Sequence, residues 1–113
     1  MNNFPQFMKN SKNKINSSQQ NTEDIEGYYF EGKDESQIAF WECHSDKESK
    51  PHTHDFDEYI ICVGGEYTAF LEGEEIILKS GDELFIPKGT EQGGKVKAGT
   101  RTIHAFGGKR IKT

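Results

Sequence analysis

The residues of this chain best suited to chemistry sit in one short run, Pro51-His52-Thr53-His54-Asp55-Phe56-Asp57-Glu58-Tyr59. In extended backbone, side chains two apart point the same way, so His52 and His54 share a face and Glu58, four positions on, keeps their parity. Two neutral imidazoles and a carboxylate form a set that Fe²⁺, Mn²⁺, Ni²⁺, Co²⁺ or Zn²⁺ accepts while keeping positions open for water or a small molecule. The bland alternative leaves both histidines on a polar loop with Glu58 solvated.

Such a set needs walls. From Gly27 onward the chain reads as short β-type runs separated by turn residues at the spacing of an all-β sandwich or barrel. Strands are expected at Tyr28–Glu31, Gln37–Cys43, Glu58–Val63, Glu66–Leu71, Glu75–Lys79, Glu83–Pro87, Gln92–Lys97 and Thr100–Phe106, with a hairpin turn at Glu72-Gly73-Glu74. Pro87 ends its strand because it cannot donate to a ladder. Ile60-Ile61-Cys62-Val63 and Ala69-Phe70-Leu71 are apolar on both faces, so each needs cover on two sides. A barrel interior supplies one cover and a second copy of the chain the other, which makes a homodimer the expected assembly. Phe56, Ile60 and Cys62 share the parity of the ligand set and are expected to wall it. Tyr29, Phe40, Trp41, Tyr67, Phe70 and Phe85 read as core aromatics.

Residues 1–26 are rich in Asn, Gln, Ser and Lys and hold too few large apolar residues for a core of their own. They read as an arm or linker to a domain of residues 27–113, with Phe4, Phe7 and Met8 spaced so that the arm could dock on the barrel. The 113 residues are 32 % hydrophobic and carry eight Phe, four Tyr and one Trp, a compact aromatic core rather than a Leu/Ala helical one. Net charge is −5. No acidic residue follows Glu91, while Lys95, Lys97, Arg101, Lys109, Arg110 and Lys112 do. That basic end could attract an anionic substrate, although pairing with acidic neighbours is the simpler account. The acidic total and the lack of a dense basic cluster argue against nucleic acid. Cys43 and Cys62 fall in strand runs without redox or metal spacing and read as buried thiols of a reducing cytoplasm. No run has the length of a membrane span or a signal-peptide core, so a soluble cytoplasmic protein is expected.

The pattern resembles the cupin family. His52, His54, Glu58 and Gly65 stand at the spacings of its first motif, whose leading glycine is replaced here by Asp46; Gly81, Pro87 and Gly89 match the second, whose histidine falls on Gln92. The resemblance spans roughly Gln37 to Phe106 and implies a double-stranded β-helix, or jelly-roll, barrel. It also implies that His52, His54 and Glu58 are ligands of one divalent metal and that position 92 supplies a fourth. Gln92 is a weaker, neutral oxygen donor. Either it binds through its amide oxygen, or another residue substitutes, or tight metal binding has been lost.

A candidate substitute is His104. If the strands of Gln92 and Thr100 pair around Lys97-Ala98-Gly99, Gln92 faces His104 and both enter the barrel, so His104 could serve as ligand, ligand-holding partner or acid/base. A one-residue slip would turn it outward. His44 is expected at the barrel mouth or in solvent. Gly93-Gly94 reads as a bulge or a close approach of backbone, and Gly107-Gly108 as the point where the last residues leave the barrel. The leading expectation is a small metal-binding cupin that binds or transforms a small polar molecule, with dioxygenase, isomerase or decarboxylase chemistry all compatible with the family. The alternative is a non-catalytic barrel that binds or senses a small, carbohydrate-like ligand with weak metal or none.

Overall fold

The computed structural model describes residues 2–16 and 24–112. Nine strands follow one another: β1 Ile25–Glu31, β2 Gln37–Cys43, β3 Lys47–Glu48, β4 Glu58–Gly64, β5 Glu66–Leu71, β6 Glu74–Lys79, β7 Glu83–Ile86, β8 Gln92–Val96 and β9 Arg101–Phe106. They form two antiparallel sheets, β1-β2-β9-β4-β7 and β3-β8-β5-β6, the jelly-roll arrangement expected from the sequence. Each expected strand is present within a few residues. The short β3, pairing Lys47 with Val96, lies where the sequence read only a polar loop, because two charged residues carry no alternation to reveal it.

The first sheet is apolar on both faces. Its inner rows include Ala39, His104, Ile60 and Leu84, paired across β2, β9, β4 and β7, and Gln37, Phe106, Glu58 and Ile86 in the next row. On the outer face Tyr28 and Phe40 are capped by Phe4, with Met8, Val63 and Ile103 against them. The chain's own N-terminal stretch therefore supplies part of the second cover. Phe30, Ile38, Tyr59 and Phe85, further along the same face, are left exposed in the single chain. The N-terminal stretch also shields the edge strand β1, where Lys14 bridges Tyr28 and the Ile15 N–H donates to the Gly27 carbonyl at 2.8 Å. An unpaired edge would otherwise invite another chain.

Three expectations fail. Phe85, read as a core aromatic, is 57 % exposed on the outer face. The strands of Gln92 and Thr100 form no hairpin: β8 pairs with β3 and β5, while β9 pairs with β2 and β4 in the other sheet. The Lys97–Thr100 turn is tied to β2 instead, the Cys43 N–H donating to the Thr100 carbonyl at 2.9 Å and the Gly99 N–H to the Cys43 carbonyl at 2.8 Å. It carries the chain from one sheet to the other. Nor do Gly107 and Gly108 release the C-terminus, since Ile111 returns to the core and is buried with Ile15, Ala39 and Phe106. Gly65 of the first motif has φ +78°, and a Cβ there would lie 2.6 Å from the Thr100 Cα. The β4–β5 connection can pass that backbone only without a side chain.

Candidate metal centre

His52, His54, Glu58, Gln92 and His104 all line one cavity of about 130 Å³ between the sheets. Different elements bring them there. Glu58 opens β4 and is 4 % exposed. His104 is inward by the parity of β9, whose Thr102, His104 and Phe106 are all buried, so it reaches the interior without the pairing to Gln92 that the sequence suggested. His52 instead faces Gln92, their backbones exchanging two hydrogen bonds of 2.8 Å, and directly opposed residues project to one side.

The hydrogen bonds assign each imidazole a role. His52 Nδ1 lies 2.9 Å from the Lys50 carbonyl. A carbonyl only accepts, so Nδ1 carries the proton and Nε2 keeps a lone pair for an ion. His54 stacks on Phe56 at 4.8 Å, and burial pulls its pKa below the ordinary 6.5 despite the opposing charge of Glu58; the ring is neutral, as a ligand must be. His104 has both nitrogens engaged, Nδ1 with Glu58 Oε2 at 2.8 Å and Nε2 with Thr102 Oγ1 at 2.9 Å. That fits a group which holds Glu58 better than a direct ligand. Trp41 meets the His104 ring edge-on at 4.8 Å and Phe106 stacks on it at 5.9 Å, so the imidazole has little freedom to turn.

Glu58 is the decisive side chain. Burial pushes its carboxyl up, yet the hydrogen bond from His104 and the positive charge that the His104, His54 and His52 rings carry when protonated outweigh that and hold it below the ordinary 4.5. It is ionised at neutral pH. While Oε2 is bound by His104, Oε1 is buried without a hydrogen-bond partner among the described residues. Its neighbour is His54 Nε2 at 3.8 Å, too far for a hydrogen bond. That gap lies within the span of two donors each about 2.0–2.2 Å from a shared ion. A buried carboxylate oxygen with nothing to accept from is costly, and a divalent cation satisfies it. The residues fit a metal.

Tyr67 lies 5.8 Å from His104, ring to ring, and burial pushes its phenol up, so it stays protonated. A Cβ on Gly94 would collide with the Tyr67 hydroxyl, which is the close approach the paired glycines suggested. Burial also pushes the Cys43 thiol up to about 12, so it stays protonated at neutral pH. Among the residues of the cavity wall that the sequence reading did not assign to the site are Tyr67, Thr102 and Arg110. For Thr102 the parity of the last strand was the available signal.

A second carboxylate–histidine group lies on the outer face, where ligand atoms of Glu26, Glu42 and His44 come within 4.8 Å of one another. Its oxygens are already used. Glu42 accepts from the Phe4 N–H at 2.8 Å and pairs with Lys9 at 3.0 Å, and Glu26 accepts from the Tyr28 hydroxyl at 2.6 Å and lies 3.3 Å from His44.

The family model described as "Cupin domain" matches residues 39–103. No curated protein sequence matches. Among solved structures, KdgF from Halomonas sp. is 22 % identical with a TM-score of 0.69, over 75 % of this chain and 79 % of that one. An RmlC-like cupin from Shewanella frigidimarina gives 20 %, 0.68, 75 % and 77 %. Salicylate 1,2-dioxygenase from Pseudoaminobacter salicylatoxidans, in complex with gentisate, gives 10 % and 0.69 over 75 % of this chain and 25 % of that one. At these identities the likeness is one of fold.

Proposed function

The chain belongs to the cupin family, and from that premise we propose that it holds one divalent transition metal on His52, His54 and Glu58, with Gln92 beside them, and binds or transforms a small polar molecule there. One observation carries the reading: the buried, unpartnered Glu58 Oε1 facing a neutral His54. When bound, the ion supplies Lewis acidity and open coordination positions. The chain's own residues do the rest. Lys50 fixes the tautomer of His52, His104 orients Glu58 and can hold a proton at Nδ1, and Trp41, Phe56 and Phe106 keep bulk water from the polar cluster. The naming of one structural neighbour as a dioxygenase in complex with gentisate is compatible with a small-molecule site.

The experiment is elemental analysis after purification with metal supplied. Wild-type protein should carry about one equivalent of a transition metal and His52→Ala/His54→Ala less than about a tenth of that, with the β-rich circular dichroism of both unchanged. Equal metal in the two proteins would remove the histidines from the ligand set. Wild-type protein that takes up no metal would favour the second reading, a binding or sensing barrel without metal, for which the neutral amide of Gln92 in place of an imidazole is the supporting observation.

A further inference from the structure

Beyond β9 the chain turns back over the open end of the barrel. Gly107 N–H donates to the Asp57 carbonyl at 2.8 Å, and Gly108 sits so near Phe56 that a Cβ would lie 2.9 Å from the ring. The returning strap is received by Gln37, buried in the inner row beside Phe106. Its Oε1 accepts from the backbone N–H of Arg110 at 3.0 Å and of Ile111 at 2.8 Å, while Nε2 donates to the Ile111 carbonyl at 2.8 Å and to Glu31 at 2.8 Å. One side chain thus fixes the backbone on both sides of the Arg110–Ile111 peptide, and Ile111, 2 % exposed, pins it to the core.

The consequence is the placement of Arg110. A groove of about 920 Å³ opens outside the metal cavity, and His52, His54 and Arg110 line both spaces. They form the throat between them. Lys109, one residue earlier, instead leans outward to Glu31 and Glu35 at 3.6 and 3.7 Å. Of the strap's three cations, Lys109, Arg110 and Lys112, only Arg110 lines both spaces, and its charge acts on Glu58. A divalent ion beside neutral imidazoles and the Glu58 carboxylate leaves one positive charge, and Arg110 adds another. The planar guanidinium binds a carboxylate through two parallel N–H groups.

We propose that Arg110, positioned by Gln37, captures the carboxylate of a small anionic ligand whose other end reaches the metal, so that the site selects carboxylate-bearing molecules entering from the outer groove. This rests on the metal reading above and deepens it. Gln37 acts through Arg110 and touches no ligand; it is a positioning residue.

The test uses full-length protein loaded with Co²⁺, whose visible spectrum reports new ligands, titrated separately with malonate and with imidazole, a neutral metal ligand. Arg110→Gln should weaken malonate about tenfold or more and leave imidazole within about twofold. Arg110→Lys, which keeps the charge without the fork, should fall between and decides the matter if the glutamine variant does not fold. Gln37→Ala should lose malonate selectivity while imidazole binding holds, with faster hydrogen exchange at the amides of residues 110 and 111. Malonate affinity unchanged in Arg110→Gln, or both probes weakened alike, overturns the capture role. Faster exchange with selectivity intact overturns the positioning role alone. Failure of the wild type to take up Co²⁺ would instead overturn the metal reading on which the proposal stands.

Discussion

The molecule builds two clusters from the same materials, and their difference shows what marks a ligand site. Inside the barrel, Glu58 stands among His52, His54 and His104 with one oxygen bound and the other unpartnered. On the outer face, Glu26 and Glu42 stand with His44, their oxygens met by Lys9, the Phe4 amide and the Tyr28 hydroxyl. Proximity of donor atoms favours the outer group. Chemistry favours the inner one, because an ion has to displace Lys9 outside but fills an unmet demand inside. The outer cluster spends its charge in fastening the N-terminal stretch to the sheet.

The sharpest way to break that contrast is to neutralise each carboxylate. Glu58→Gln should lower metal affinity by roughly 100-fold or more while costing the metal-free protein little, since the unpartnered oxygen loses its charge. Glu42→Gln should leave metal content untouched and reduce stability by about 1–2 kcal/mol in denaturant unfolding, because the Lys9 ammonium loses an ionised partner in a mostly buried setting. Metal lost from the Glu42 variant and kept in the Glu58 variant would exchange the roles assigned to the clusters.

A smaller effect separates Gln92 and His104, the two candidates for the fourth position. Both ring nitrogens of His104 are committed to Glu58 and Thr102; on the proposed metal reading it holds Glu58 in place, and His104→Ala should cost about 10- to 100-fold in metal affinity. Gln92→Ala removes only a neutral oxygen and should cost less. The opposite order in a competition titration would make Gln92 the stronger hold on the ion.

How far these features could be read in advance depended on range. Alternation and turn residues disclosed the strands, and the spacing of His52, His54 and Glu58 placed three side chains on one face, because each of those signals is local. The partner of β8 was not local. The turn at Lys97–Gly99 resembles a hairpin in sequence but is captured by Cys43 and β2, a contact that no neighbouring residue announces. Arg110 was visible only as one more charge in a basic tail, since its backbone N–H is received by the buried Gln37, 73 positions away. Gln37 itself read as an ordinary strand residue.

The smallest effect concerns acid. Glu26 is held below its ordinary 4.5, first by the hydrogen bond from Tyr28, against some desolvation, and further by His44, Lys9 and Lys14. Burial and Glu26 together push the Tyr28 phenol up to about 12, so it remains the donor throughout the working range. A depressed folded value means the pair's contribution is fully present above 4.5 and is lost as the pH falls below that through the folded value. Tyr28→Phe removes the donor and keeps the ring against Phe4 and Phe40. The stability gap between wild type and variant should therefore be a few tenths to about 1 kcal/mol at pH 7, and should shrink as acid protonates Glu26. A gap equally large in strong acid would mean that the phenol does not act through the ionised Glu26 carboxylate. Metal content should not follow Tyr28→Phe, since Glu26, Tyr28, Glu42 and His44 do not line the cavity that holds Glu58.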